Sequence, residues 1–208
     1  ERGDALEVGG ERPGIVAVRP LEEPRVLFAA ALHLAARRMA QDAVVAVGET
    51  GLDYCRDFSP RDAQREAFHR QLQIGADSGL PLFLHMRDAH FDFHAILRAV
   101  RDQLSDVVVH CFTGSRDELR DYLDLDCHIG ITGWICDERR GLHLRELVKA
   151  IPPDRLMIET DAPFLFPRTM PTKPKDGRNE PAFLPFVLHM VADCLGKPVT
   201  EVAEMTTK

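Results

Sequence analysis

No apolar run in the chain approaches the roughly 20 residues needed to cross a bilayer, and the opening Glu1-Arg2-Gly3-Asp4 is too polar for a secretory signal. No Cys-x-x-Cys pair occurs either: the five cysteines, at 55, 111, 127, 136 and 194, are odd in number and scattered singly. That argues against a disulfide framework or a structural zinc knuckle, and for a reducing, cytoplasmic setting. Aromatic residues are sparse at 7%, with one tryptophan, and basic residues are outnumbered 26 to 33, for a net charge of −7. A protein that coats nucleic acid non-specifically needs the opposite balance. Nucleic acid therefore stays open only through a few locally basic contacts or through bound cations.

What is present is an ordinary globular mixture, 45% hydrophobic and 28% charged, over 208 residues. This excludes disorder and suits a single domain over 1–208. Short β-branched runs predict strands at Gly14–Val18, Ala43–Val47, Pro81–His85, Asp106–His110, Cys127–Ile131 and Arg155–Glu159. Helical patterns fall between and after them, at Pro24–Ala40, Pro60–Gly79, Ala89–Leu104, Ser115–Leu123, Leu142–Ala150, Pro181–Leu195 and Pro198–Met205. Gly79 suits a left-handed C-cap, and Ser115 with Glu118 three residues on is a capping-box pattern. Strands alternating with helices imply an α/β fold with a parallel sheet buried on both faces. Six such units fit a doubly wound sheet or a large part of a TIM (β/α)8 barrel, which in full takes about 250 residues. One stretch is irregular: Pro163–Asn179 holds four prolines, and Arg168, Lys173, Lys175 and Arg178 against Asp176 give it a charge of +3.

Nearly every apolar run ends in a potential metal ligand. Val47-Gly48 leads to Glu49, Phe83-Leu84 to His85, Val108-Val109 to His110, and Met157-Ile158 to Glu159 and Asp161. In a parallel barrel all strand C-termini share one face, where catalytic groups sit. One histidine after a strand is readily a structural residue, and Glu49 or Asp161 alone is readily a cap or a turn. Ionisable residues at the same place in four units are poorly explained by packing, because burying them without a counter-charge costs several kcal/mol. A divalent cation removes that cost. Carboxylate and imidazole without paired thiolate suit magnesium, manganese, zinc or iron alike. Cys111 should face away from His110 and pack. His33, His69, His94, His143 and His189 read as structural or exposed, whereas His90 lies close enough after a strand to touch substrate.

The motifs Gly48-Glu49-Thr50-Gly51-Leu52-Asp53, Leu84-His85-Met86-Arg87-Asp88-Ala89-His90, Val109-His110-Cys111-Phe112-Thr113-Gly114, Gly130-Ile131-Thr132-Gly133-Trp134, Ile158-Glu159-Thr160-Asp161-Ala162-Pro163 and Arg178-Asn179-Glu180-Pro181 follow in order. The set resembles the TatD family of metal-dependent deoxyribonucleases from about residue 43 onward, and Cys136–Gly141 resembles its bacterial branch. The resemblance implies a TIM-barrel hydrolase acting as a 3′→5′ exonuclease on DNA, single-stranded or at 3′ ends, with RNA as a further substrate and a role in DNA repair. By motif match Glu49, His85, His110 and Asp161 fall on the family's metal ligands, and Arg87 on the arginine of its His-x-Arg-Asp motif. Two further N-terminal units and a first-strand metal motif of the family are not matched in residues 1–42, so the barrel is expected to be incomplete.

On this reading two divalent ions ~4 Å apart, magnesium first and manganese or zinc as alternatives, activate water and stabilise the in-line transition state. Glu49 holds or bridges the ions, His85 and His110 complete the coordination, and Asp161 is both ligand and general base. Arg87 would clamp a phosphate oxygen. Arg168, Lys175 and Arg178, with His90, are assigned to substrate from charge and place. Trp134 either stacks on a base or plugs the barrel mouth. Two other readings stay open: a metal-dependent amidohydrolase of the same superfamily, and a truncated relative without catalysis. No membrane partner is expected.

Overall fold

The computed structural model describes residues 14–16 and 44–207. Among them, six strands form one sheet: β1 (Gly14–Val16), β2 (Val44–Asp53), β3 (Leu82–Arg87), β4 (Val107–His110), β5 (His128–Ile131) and β6 (Leu156–Ile158). Every pairing is parallel, and spatial order follows chain order from β1 to β6. A doubly wound sheet reverses its direction of growth and so departs from chain order. A sheet that adds each strand beside the last is of the barrel type. Strand order therefore decides between the two sheets that the sequence leaves open.

Six α-helices accompany the described strands: α1 (Arg61–Ser78), α2 (His90–Val100), α3 (Arg116–Asp124), α4 (Leu142–Leu147), α5 (Leu184–Leu195) and α6 (Val199–Met205). The expected helix at Pro24–Ala40 lies outside the described residues. Helix α1 stops at Gly79, whose φ of 67° is the left-handed conformation that glycine adopts without strain. Helix α3 starts in the expected capping box, with Ser115 accepting from the Glu118 N–H and Glu118 accepting from the Ser115 N–H. Phe68 and Leu72, four residues apart on α1, share one face. They join Phe93 and Leu97 of α2 and Leu119 and Tyr122 of α3 in a fully buried layer over Leu84, Val109 and Ile129. Each such side chain contributes about 1.5–3 kcal/mol of burial. The Phe68 and Phe93 rings stack at 5.0 Å.

The expected strand Ala43–Val47 is too short. Strand β2 runs on to Asp53, which pairs with Arg87 of β3. Glu49, Gly51 and Asp53 have little intrinsic strand preference, so the continuation comes from pairing more than from local sequence. Between Gly48↔Phe83 and Thr50↔Leu84 the register shifts, leaving Glu49 as an extra residue. Such a bulge re-aims a side chain. Val47, Gly48, Thr50 and Leu52 are buried while Glu49 is exposed. Gly48 is required for this approach, because a Cβ there would lie 2.5 Å from the Phe83 carbonyl oxygen.

Candidate functional site

Glu49, His85 and His110 come together at the C-terminal parts of β2, β3 and β4. His85 and His110 are direct partners in the β3–β4 register. Glu49 Oε1 lies 2.9 Å from His85 Nδ1 and 3.0 Å from His110 Nε2, and the two ring nitrogens are 3.3 Å apart. One carboxylate oxygen and two imidazole nitrogens thus face a common point, each within 4.8 Å of the others.

Each imidazole also meets an outer carboxylate on its far nitrogen. His110 Nδ1 is 3.5 Å from Glu159 Oε2. His85 Nε2 is 3.4 Å from Asp53 Oδ2, too poorly aligned for a hydrogen bond, and this buried nitrogen has no other partner. Carboxylates in this position fix the ring and raise its basicity when the near nitrogen binds metal. Glu159 is itself held by the Cys111 N–H, which donates to Oε1 at 2.5 Å. Gly130 of β5 makes the space, since a Cβ there would overlap the Glu159 carboxylate. Asp53 is anchored by accepting the N–H groups of Cys55 and Arg56.

The electrostatics favour positive charge at this point. Hydrogen bonds from His110 and then His85 hold Glu49 far below the usual carboxylate range, against a burial penalty. Burial pulls His110 down, but hydrogen bonds to Glu159 and Glu49 and their charges outweigh it and raise the ring to about 10. A pocket that stabilises a buried imidazolium so strongly is suited to a cation. Its donor set fits magnesium, manganese, zinc or iron.

Asp161 lies on the loop after β6, with a left-handed φ of 54°. Burial raises its pKa, with Glu159 and Glu49 adding to that and His110 and His85 opposing it. Its charge is thus felt by the whole cluster, although no direct contact with the three converging atoms is formed. The loop is pinned by buried Asn179, whose side-chain amide donates to the Thr160 carbonyl at 2.7 Å and whose N–H donates to the Pro163 carbonyl. This gives the Arg178-Asn179-Glu180-Pro181 motif a structural role.

The other expected residues divide. Arg87, at the end of β3, lies over the Trp134 ring at 5.6 Å, and Arg140 covers the same ring at 5.4 Å. Trp134 packs against the core between these cations. His90 turns toward α3 instead: Nδ1 meets the Tyr122 hydroxyl at 2.8 Å and Nε2 meets Asp121 at 3.2 Å. Both ring nitrogens are therefore engaged away from the Glu49–His85–His110 cluster. Arg168 forms an ion pair with Asp137 at 2.9 Å, whereas Lys175 and Arg178 are exposed. Cys111 does not simply face away. Its φ of 49° breaks the strand alternation, its N–H serves Glu159, and burial pushes its thiol up to about 12. Sequence reasoning missed the part played by Asp53, four residues after Glu49, and placed Glu159 among the potential ligands at strand ends rather than behind His110.

The model of the TatD related DNase family matches residues 15–208. The chain belongs to the TatD family. A 3′-5′ ssDNA/RNA exonuclease TatD of Rahnella sp. (strain Y9602) is 54% identical over 163 residues, covering 78% of this chain and 62% of that protein. The protein of the same name from Escherichia coli (strain K12) is 50% identical over 167 residues, covering 80% and 64%. That from Musicola paradisiaca (strain Ech703) is 48% identical over 197 residues, covering 92% and 74%. The chain thus spans about three fifths of the length of the first two relatives. Among solved structures, a TATD homolog from Escherichia coli K12 superposes with a TM-score of 0.77 at 27% identity, covering 92% of this chain and 71% of that one. An uncharacterized amidohydrolase from Saccharomyces cerevisiae gives 0.73 at 25%, covering 85% and 67%. The match to the TATD homolog agrees with the barrel-type sheet order.

Proposed function

We propose that this chain is a divalent-metal-dependent 3′→5′ exonuclease that hydrolyses phosphodiester bonds of single-stranded DNA, and of RNA as a second substrate. The observation that carries the reading is the convergence of Glu49, His85 and His110 on one point, backed by the outer carboxylates Asp53 and Glu159. Directionality and the pair of nucleic acids follow the names of the relatives. Trimming of 3′ ends fits a role in DNA repair.

Glu49, His85 and His110, with Asp161, would hold the metal, for which we propose two ions, magnesium first and manganese or zinc in its place. When bound, divalent ions supply a nucleophile near neutral pH and offset charge on the phosphate. The chain's own residues do the rest. Asp161, made more basic by burial, accepts the proton of the attacking water at its carboxylate. Asp53 and Glu159 are positioning residues that orient the imidazoles. Arg87, at the end of β3, offers a planar guanidinium to a phosphate oxygen. Lys175 and Arg178 project from the basic loop that begins after Asp161, and that loop favours a phosphate over the neutral amide of the amidohydrolase alternative. Arg168 would join them while held by Asp137.

The test is a 5′-labelled single-stranded oligonucleotide incubated with the purified chain and Mg2+ or Mn2+. Stepwise shortening from the 3′ end that EDTA abolishes is expected, as is loss of at least about 100-fold in kcat for Glu49→Gln with an unchanged circular dichroism spectrum. Absence of cleavage with either ion, or full turnover by the variant, overturns the proposal.

A further inference from the structure

Three phenylalanines are strongly exposed among the described residues: Phe58 at 88%, Phe91 at 84% and Phe164 at 59%. One exposed ring needs no explanation. These three share one end of the sheet. Phe58 lies between β2 and α1, Phe91 in the first turn of α2 just after β3, and Phe164 in the segment after β6. In a parallel sheet of sequential order these connections leave from the same edge, the one that carries Glu49, His85 and His110.

Two of the segments are hydrogen-bonded to residues beside the candidate centre. Phe58 follows the turn built on Asp53, which accepts from the N–H groups of Cys55 and Arg56 and whose carbonyl accepts from the Asp57 N–H. Phe164 donates its own N–H to the Asp161 carbonyl at 2.8 Å. Phe91 stands in the first turn of α2, after the end of the strand that presents His85, where it lines a groove with His90, His94 and Asp121. The Tyr54 hydroxyl donates to Asp92 at 2.6 Å, tying the Phe58 segment to the turn that carries Phe91. Cations stand over neighbouring rings: Arg61 lies over Tyr54 at 4.4 Å, and Lys173 lies over Phe166 at 5.5 Å in the basic loop that bears Phe164. Exposed aromatic faces beside a basic loop, at the end of the sheet that carries Glu49, His85 and His110, match the needs of unpaired bases on a charged backbone.

We infer that Phe58, Phe91 and Phe164 form a base-stacking platform that takes unpaired bases of a single-stranded nucleic acid and leads its backbone to the cluster of Glu49, His85 and His110. The inference rests on the nuclease reading for the identity of its ligand. Stacking on rings tolerates every base, so the platform selects unpaired strands over duplex without selecting sequence.

The test is binding, measured in EDTA so that cleavage plays no part. Fluorescence anisotropy with the whole chain compares labelled oligo(dT) with an abasic strand of the same length. Each of Phe58→Ala, Phe91→Ala and Phe164→Ala should weaken oligo(dT) binding by about fivefold to a hundredfold while changing the abasic strand much less. Phe164→Trp should restore or tighten oligo(dT) binding, and Phe164→Leu, apolar but not aromatic, should not. Equal loss for both strands, or no loss for either, overturns the platform. A change in self-association with oligo(dT) affinity unaltered also overturns it, by assigning the rings to a second copy of the chain. The cleavage assay above judges the nuclease reading separately, so a platform without cleavage and cleavage without a platform are distinguishable.

Discussion

A side chain at Gly130 would occupy the space that the Glu159 carboxylate fills. The consequence reaches His110, because Glu159 faces its Nδ1 at 3.5 Å and a Cβ at Gly130 would also lie 3.2 Å from the His110 Cα. Gly130→Ala should therefore displace Glu159 and loosen the ring while leaving Glu49 and His85 intact. Loss of such an outer partner typically costs about 10- to 100-fold in metal affinity. Calorimetric titration with Mn2+ should show that weakening. Undiminished affinity would mean that Glu159 does not tune His110.

The strands, the capping box at Ser115 and the convergence of the strand ends that carry Glu49, His85 and His110 were legible in the sequence because each is written locally, in β-branched runs, in a three-residue spacing, or in one residue after a run. Strand β2 was read short because Glu49–Asp53 pairs through its neighbour and not through its own propensity. The places of Asp53 behind His85 and of Glu159, noted only as a potential ligand, behind His110 escaped because these contacts cross the sheet, over spacings that no periodicity reports. Their signal was there in retrospect: each is an acid flanking a proposed ligand, Asp53 four residues after Glu49 and Glu159 two before Asp161. His90 was misplaced for a related reason. Its place after β3 is local, but its partners Tyr122 and Asp121 are supplied by α3.

Asn179 is a second remote control on the centre. Its amide donates to the Thr160 carbonyl, next to Asp161, from a position that is 3% exposed. Asn179→Ala leaves that carbonyl without its side-chain donor, a loss of about 1–3 kcal/mol. For a domain of this size the melting temperature should fall by about 2–10 °C. Because the loop carries Asp161, kcat should fall more than KM rises. A lower melting temperature with unaltered kcat would confine Asn179 to stability alone.

Metal should stabilise the fold through the same three ligands. A ligand that binds only the native state adds about 2.7 kcal/mol at 100 times its Kd, about 5–10 °C in melting temperature. Saturating Mn2+ should produce such a rise in differential scanning fluorimetry, and EDTA should reverse it. In His110→Ala the rise should shrink sharply, because the ring that Glu49 and Glu159 hold between them is gone. An equal rise in that variant would place the bound metal elsewhere.

Asp137 links acid stability to the basic loop that carries Arg168. Its carboxylate accepts from Arg139 Nη2 at 3.0 Å and forms an ion pair with Arg168, whose Nε lies 2.9 Å away. Hydrogen bonds from Arg139 lead, the charges of Arg139 and Arg168 add to them, and a burial penalty opposes; together they hold Asp137 at about 2, below its ordinary 3.8. A carboxyl depressed on folding stabilises the native state above its unfolded value, and that contribution disappears as pH falls through the folded one. The stability gap between the natural chain and Asp137→Asn should thus be constant from pH 7 to about 5 and narrow between about 4 and 2, as urea titrations at each pH would show. The same variant releases Arg168, so KM for an oligonucleotide should rise with kcat nearly unchanged. A gap that stays constant down to pH 2 would show that the arginines do not hold Asp137 ionised. An unchanged KM would remove Arg168 from the substrate path.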